Sequence, residues 1–484
     1  MIKFTEVKEG VLLKDYELYS TLAMPLRDLY MEAANIVPKL KGRKVWMVNS
    51  TSHGGGVAEM MPRIISLLRQ LGIDCEWVVA STDTKEFYTI TKKIHNLIHG
   101  EGNAGFTNEE KEIYEKVNQD NALAFLRFLK EDDIVVIHDP QPLAMGHFLK
   151  NALNLKLIWR CHIGHDKHLP ATELAWGFLK PYLSKYDLSV FSSIEYVPNY
   201  LSGKAEIMYP SIDPLDHKNR DLPIHKIVGI FCNSKLIPEY HPVLTPPFRE
   251  SVQRLHPDGK FHSPIYPTDA GLLFQPMILQ VSRWDRLKGF LPLIKGFKEL
   301  KENKVNYESS DQRHHRRLAL LQLVLAGPDP SFVEDDPEGI EVLNELCHYY
   351  LNLPKQLQQD ISILKLPMSN RKNNEVIVNA LQRVSTLVVQ NSLREGFGLT
   401  VTEAMWKVKP VIGSMASGIK HQIRDGIDGR LIHDPNDPKE IAEKLNDALA
   451  YPKIREVWGY SAQKKVIENF LIFNQLRKWL DVLS

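Results

Sequence analysis

Cysteine is scarce in this chain. Four residues in 484 (Cys75, Cys161, Cys232 and Cys347) are widely scattered, and none sits in a CxxC pair. That spacing excludes a zinc ribbon and a disulfide framework, and reads as separate reduced thiols. Long apolar runs are missing as well: no segment approaches the roughly 20 uninterrupted apolar residues of a membrane helix. The opening MIKFTEVKEG has no apolar leader core. Both features point to the cytoplasm and to no membrane partner. Charge of one sign is lacking too. With 60 basic against 59 acidic residues the net charge is +1, so there is no electrostatic case for nucleic acid as a partner. An anionic ligand must be held by local positive charge.

The length is well above the ~250–300 residues at which a single core stops growing, so two domains are expected. Short apolar runs at 45–49, 75–80, 134–139, 157–162 and 188–193 read as buried strands, with helical spacing at 57–71 and 108–130 between them. A second strand–helix series has strands at 277–283, 318–326, 361–366, 386–392 and 409–414. Alternation of this kind predicts parallel sheets covered by helices. Between the series, 213–276 is rich in proline (Pro238, Pro242, Pro246, Pro247, Pro257, Pro264, Pro267) and reads as an irregular linker or insertion. Residues 302–317 read as a polar loop. The predicted organisation is an α/β chain of two Rossmann-like, doubly wound domains facing across a cleft. These are an N-terminal domain at 1–212, the linker 213–276 and a C-terminal domain at 277–454, with a terminal helix at about 455–484 packing back on the first domain. In such sheets ligands bind at the strand carboxyl ends.

Chemistry-bearing residues concentrate at those ends. Ser52-His53-Gly54-Gly55-Gly56-Val57-Ala58-Glu59 follows a strand and opens a helix. Gly55 and Gly56 would let backbone approach a ligand, with helix N–H groups facing an anion. The stretch is neither GxGxxG nor a P-loop, which argues against a dinucleotide; an ordinary tight strand-to-helix turn would read the same way. Arg283 and Lys288 lie in one loop after the strand 277–283, where two cations suit a diphosphate, although such a pair is also common on solvated surfaces. Glu395-Gly396-Phe397-Gly398-Leu399-Thr400-Val401-Thr402-Glu403 follows the strand 386–392. Its glutamates flank a helix start, placed to hold vicinal hydroxyls while the helix N-terminus faces phosphate. His138-Asp139-Pro140-Gln141-Pro142 and Trp159-Arg160-Cys161-His162-Ile163 end neighbouring strands, where donors and acceptors together suit a sugar. A lone histidine such as His162 is also common as a satisfied core residue. No DxD-like pair appears at a strand end, so no metal is implied.

The Glu395…Glu403 segment resembles the paired-glutamate motif of retaining GT-B glycosyltransferases, and the Arg283…Lys288 loop resembles their donor-phosphate site. With Asn49–Glu59, His138–Pro142, Trp159–Ile163, Glu395–Lys407 and Pro410-Val411-Ile412-Gly413, the chain resembles the trehalose glycosyltransferring synthase and retaining trehalose phosphorylase group. The resemblance spans most of the chain outside roughly 216–275 and 302–317. It implies a donor diphosphate neutralised by Arg283 and Lys288, and a nucleotide ribose on Glu403. Glu395 would face the transferred glucose, Gly396, Phe397, Gly398 and Leu399 would line sugar and phosphate, and Gly55 and Gly56 would close over the donor. Asp139 and His162 would bind sugar at the reacting centre, with Arg160, His138 and Gln141 around it. The substrate implied is ADP-, UDP- or GDP-glucose with a sugar acceptor and no cofactor; a homodimer is compatible. The alternatives are a phosphorylase using glucose 1-phosphate and a non-catalytic sugar or nucleotide sensor. Departures from the family pattern are Gly164 where an Asp is common, followed by His165-Asp166-Lys167-His168, Val408 where a Gly is common, and Ser414-Met415-Ala416-Ser417-Gly418.

Overall fold

The computed structural model describes residues 1–8, 10–53, 56–237, 248–264, 272–303, 307, 311–332 and 337–484. Two compact units result, Met1–Ser211 with Ile472–Ser484 (unit 1) and Ile212–Leu471 (unit 2). In unit 1 the strands are β1 (Ile2–Thr5), β2 (Val45–Asn49), β3 (Cys75–Ala80), β4 (Ile134–His138), β5 (Lys156–Cys161), β6 (Leu188–Phe191) and β7 (Ala205–Ile207). They pair in the order β1-β3-β2-β4-β5-β6-β7, parallel except for β1. Strands β2 and β4 are buried at every residue, as a sheet covered on both faces requires.

Unit 2 contains β8 (Gln253–Leu255), β9 (Phe261–His262), β10 (Met277–Val281), β11 (Gln322–Pro328), β12 (Ile361–Leu366), β13 (Leu387–Gln390), β14 (Val411–Ser414) and β15 (Gly429–Ile432). Their order is β15-β14-β13-β10-β11-β12-β8-β9. From β10 the chain runs outward through β11 and β12, then returns to pair β13 on the other side of β10. The order therefore reverses between β10 and β13, the position at which open α/β sheets place their ligands. In unit 1 the same reversal falls between β2 and β4.

The span read as an irregular linker carries regular structure and belongs to unit 2. Helix Ile224–Asn233 starts directly after Pro223 and buries Ile227 and Phe231, while β8 pairs antiparallel with β12. Proline at the position before a helix is compatible with it, because the missing N–H has no intrahelical partner there. Pro238, Pro242, Pro246, Pro247 and Pro267 lie outside the described residues. The segment read as a polar loop holds helix Gln312–Leu320, capped by Asp311. Its polar residues are turned to use: Arg317 donates to the carbonyls of Leu449 and Ala450, closing the end of helix Pro438–Ala450. The terminal segment divides as well. Helix Pro452–Asn469 lies in unit 2, and only Ile472–Leu483, which buries Phe473, Leu476, Trp479 and Leu480, lies in unit 1. Among the described residues no helix is long and apolar enough to cross a membrane.

Candidate active site

In unit 2 two loops leave the reversal point and are locked together. After β10, Trp284 is buried and donates to the Pro328 carbonyl at 2.7 Å, fixing the loop's base. Asp285 caps the following turn by accepting from the Leu287 N–H at 2.7 Å. Gly289 has φ +65°, and a Cβ there would lie 2.0 Å from the Asn391 carbonyl oxygen, so only glycine fits. The Leu393 N–H donates to the Leu287 carbonyl at 2.7 Å, joining this loop to the one after β13. Lys288 is thereby delivered to Glu395, Nζ to Oε2 at 2.7 Å, with both side chains largely buried.

Behind this pair runs a buried polar network. Ser392 Oγ donates to Glu395 Oε2 at 3.2 Å, and Gln390 Nε2 donates to Ser392 Oγ at 2.8 Å and Ser282 Oγ at 2.9 Å. Thr400 Oγ1 donates to Gln390 Oε1 at 3.0 Å. These hydrogen bonds fix the ends of β10 and β13 and the first turn of helix Leu399–Trp406 with respect to one another. That helix has no side-chain cap; its N-cap is Gly398 at φ +83°, so its first turn offers backbone N–H groups and the positive end of the helix dipole. Gln422 Nε2 donates to the carbonyls of Phe397 and Gly418. A Cβ on Gly418 would lie 2.3 Å from Phe397 Cα and 2.4 Å from the Gly396 oxygen, so glycine lets that turn pack directly on the loop. Phe397 is buried with its edge on Phe470, and Leu399 is exposed. Arg283 is exposed and makes no hydrogen bond or ion pair among the described residues. Glu403, one turn into the helix, is 4% exposed. Its Oε2 is buried without a hydrogen-bond partner, and its Oε1 lies 3.9 Å from Lys218 Nζ.

In unit 1 the ends of β4 and β5 bring His138, Asp139 and His162 together. His138 Nδ1 and His162 Nε2 are 2.9 Å apart with their rings stacked, and His138 also packs against Trp479. Asp139 has φ +63°, an uncommon conformation that an aspartate tolerates better than most residues. It is held there by its N–H donating to the Arg160 carbonyl and its carbonyl accepting from Trp159 Nε1. Asp139 Oδ1 accepts from the His162 N–H at 2.9 Å.

Burial controls the charge in this group. Desolvation raises Asp139 to about 6 against the pull of the His162 N–H and of Arg160. It lowers His138 to about 3 and His162 well below its ordinary value, with Arg160 adding to both. Both imidazoles are thus neutral at physiological pH, and each has one ring N–H donor and one acceptor. Arg160 is buried, with its guanidinium turned to the carbonyls of Cys161, Val190 and Met208 and to Ser192 Oγ. It ties β5 to β6 and faces no open surface. Gln141 is half-buried, with Oε1 enclosed and unpartnered. Gly56 opens helix Gly56–Gln70, and a Cβ there would meet nothing within 4 Å. Gly54 and Gly55 lie outside the described residues. At Gly164 a Cβ would lie 2.1 Å from the Tyr196 ring, so Tyr196 occupies the space that a longer residue needs.

The sequence reading did not single out Ser282, Gln390, Ser392, Lys218 or Trp479. The available signal was polar: Gln390 ends an apolar strand and Ser392 follows two residues on, both buried, where an amide or hydroxyl needs a designated partner.

Residues 47–198 match the family described as trehalose synthase, N-terminal domain, and residues 273–465 match glycosyl transferases group 1. The chain is 36% identical over 447 residues to a trehalose synthase of Pyrococcus horikoshii, covering 92% of this chain and 91% of that protein. It is 26% identical to a trehalose phosphorylase of Pleurotus sajor-caju, covering 80% of this chain but about half (50%) of the relative. Among solved structures, an α,α-trehalose-phosphate synthase (UDP-forming) from Burkholderia vietnamiensis superposes with TM-score 0.64 at 14% identity, over 91% of this chain and 98% of the other. At that identity the similarity is one of fold, the two-domain GT-B fold.

Proposed function

The chain belongs to the trehalose synthase family of group 1 glycosyltransferases, and from that premise we propose that it moves glucose from a nucleoside diphosphate glucose to free glucose, forming α,α-trehalose with retention. The observation that carries this reading is the Lys288–Glu395 pair at 2.7 Å, fixed at the reversal point of unit 2 beside an uncapped helix N-terminus. A lysine ammonium has three N–H donors. Glu395 takes one of Lys288's, leaving two for phosphate oxygens. Exposed Arg283 on the same loop adds a planar fork for a second phosphate.

In the proposed reaction the bond from the anomeric carbon to the β-phosphate oxygen breaks, and a bond from that carbon to the acceptor's anomeric oxygen forms on the same face. The acceptor's hydroxyl proton passes to the departing phosphate, so the products are trehalose and a nucleoside diphosphate. No enzyme nucleophile is needed. Negative charge grows on the leaving group, and Lys288 and Arg283 stabilise it more in the transition state than in the ground state. Glu395 accepts from a hydroxyl of the transferred glucose, while Glu403, with its buried unpartnered oxygen, suits a ribose hydroxyl. In unit 1, neutral His138 and His162, the Asp139 carboxylate and Gln141 offer both donors and acceptors, which suits an uncharged sugar better than an anion. Arg160 acts there as a positioning residue.

The test is to incubate the protein with ADP-, UDP- or GDP-glucose plus glucose, and separately with glucose 1-phosphate plus glucose, following products by carbon NMR. An α,α-linked disaccharide with release of nucleoside diphosphate is the expected result. Product from glucose 1-phosphate alone would replace this reading with a phosphorylase, and no turnover of any donor would replace it with a sensor.

A further inference from the structure

The segment following Ile212 lies outside every motif discussed above, yet it is fastened to helix Arg371–Val384 and to the last residue of helix Leu399–Trp406, which carries Glu403. Asn379 Nδ2 donates to the carbonyls of His217 and Arg220, both at 2.9 Å, and Arg383 donates to the Arg220 carbonyl at 3.0 Å. Trp406 Nε1 donates to the Asn219 carbonyl at 3.0 Å. Asn219 Nδ2 closes the turn on the Asp213 carbonyl. Buried Lys407 donates to Gln382 Oε1 at 2.8 Å and to the Glu403 carbonyl at 2.9 Å, with Asn219 Oδ1 at 3.4 Å. Hydrogen bonds hold the backbone of this turn at His217, Asn219 and Arg220, on either side of Lys218. Lys218 is 41% exposed and its Nζ stands 3.9 Å from Glu403 Oε1.

That distance makes an ion pair without a hydrogen bond. Lys218 approaches the carboxylate without spending a donor on it, and Glu403 Oε2 has no hydrogen-bond partner although it is buried. An enclosed, unpartnered carboxylate oxygen is costly unless a ligand completes it. The second cation in the vicinity does not take Lys218's place, since burial pushes the Lys407 ammonium down to about 7 and its N–H groups already point to fixed acceptors.

Resting on the nucleotide-sugar reading above, we infer that Lys218 and Glu403 form a two-sided clamp on the ribose diol of the donor. Each hydroxyl of a vicinal diol can donate to a carboxylate oxygen while accepting from an ammonium N–H. Glu403 takes the two donated protons and Lys218 binds the diol oxygens from the exposed side. The clamp reads the 2′-hydroxyl directly, so it discriminates ribonucleotides from 2′-deoxyribonucleotides, whichever base the donor carries.

The experiment is calorimetric titration of the intact protein with ADP, UDP and GDP, followed by the tightest of these against its 2′-deoxy counterpart. Wild type, Lys218→Ala and Lys218→Arg are compared. Lys218→Ala is expected to weaken the ribonucleotide about tenfold and the deoxynucleotide much less, as loss of one charge-assisted hydrogen bond predicts. Lys218→Arg should keep most of the discrimination. A double-mutant cycle with Glu403→Gln should be non-additive, because both side chains act on one diol. Equal weakening of ribo and deoxy forms would overturn the clamp and leave Lys218 a distant charge. Unchanged affinity in Lys218→Ala would overturn it outright. Failure of wild type to bind any of the three nucleotides would remove the nucleotide-sugar reading itself, and the clamp with it.

Discussion

At the ends of β4 and β5 in unit 1, polar groups are desolvated and turned toward one another; at the ends of β10 and β13 in unit 2, charged groups keep donors and acceptors to spare. His138 and His162 share a hydrogen bond, Asp139 accepts from the His162 N–H, and Arg160 is spent on carbonyls and Ser192. By contrast Arg283 is exposed, Lys288 has donors beyond Glu395, and Glu403 has an empty buried oxygen. Both groups occupy the carboxyl ends of strands in parallel sheets, so topology alone does not set their chemistry. The partners each side chain has do. Burial neutralises histidines and raises a carboxyl, which leaves a group fitted to neutral hydroxyls. In unit 2 Lys288 has Glu395 as its one side-chain partner among the described residues and Arg283 is exposed on the same loop, an arrangement that suits diphosphate.

The sharpest way to break this contrast is to remove charge from unit 2. Lys288→Ala should lower kcat/KM about 100-fold, or roughly 3 kcal/mol of transition-state stabilisation. Steady-state kinetics with the preferred donor would show it, and Lys288→Arg should recover part of the loss. A fall of less than tenfold for Lys288→Ala would mean that this cation does not carry the leaving-group charge.

A smaller effect sharpens the unit 1 side. Asp139 must be ionised to accept from sugar hydroxyls on both oxygens, and burial raises it to about 6. Activity should therefore rise with pH through about 6 and level off above it. Stability moves the other way. The folded form holds its proton to higher pH than the unfolded chain, so the stabilisation present below the ordinary carboxyl range is lost as pH rises through about 6. Asp139→Asn keeps the acceptor for the His162 N–H. It should lower kcat/KM about tenfold, the scale of one lost charge-assisted hydrogen bond, and flatten the pH limb in both activity and denaturant-unfolding profiles. A limb that survives the substitution would belong to another group.

Much of this was legible in the sequence, for a physical reason. Buried parallel strands are short, mostly apolar runs, so β2, β3 and β12 could be bounded from residue type alone, and motif residues followed at the carboxyl ends of β2, β4, β5, β10 and β13. Elements whose stability comes from partners were not legible. β1 is short and half exposed and exists by pairing with β3. Helix Gln312–Leu320 is mostly polar and is held by Asp311 and by what His314 and Arg317 do for a helix more than a hundred residues later. The side-chain roles divide in the same way. Residue type marked Lys288 and Glu395, but only packing shows that Arg160 faces inward and that Lys218, from a segment read as irregular, reaches Glu403.

The smallest effect concerns backbone rather than charge, and it too separates the two units. Each has a non-glycine residue in the left-handed region beside these groups, Asp139 at φ +63° and Val408 at φ +60°. Val408 sits just past the helix that carries Glu403, where the Val408 N–H donates to the Met405 carbonyl and the Lys409 N–H to the Ala404 carbonyl, both at 3.1 Å. This is the Schellman arrangement, in which glycine is the usual residue. A β-branched side chain there costs about 1–2 kcal/mol in backbone strain. The turn cannot relax outward, because helix Pro452–Asn469 packs on it so closely that a Cβ on Gly459 would lie 2.3 Å from the Val408 oxygen. Val408→Gly relieves the strain but gives up some apolar contact and adds unfolded-chain entropy, for a net stabilisation of about 0.5–1 kcal/mol. Thermal and denaturant unfolding should show that gain with turnover unchanged, since the hydrogen bonds that define the turn are backbone ones. Asp139→Gly is equally permissive for the backbone but should lose activity, because there the side chain, not the turn, does the work. A Val408→Gly variant that loses stability would show that the valine's packing outweighs its strain. Loss of turnover without loss of stability would show that the turn transmits position to Glu403.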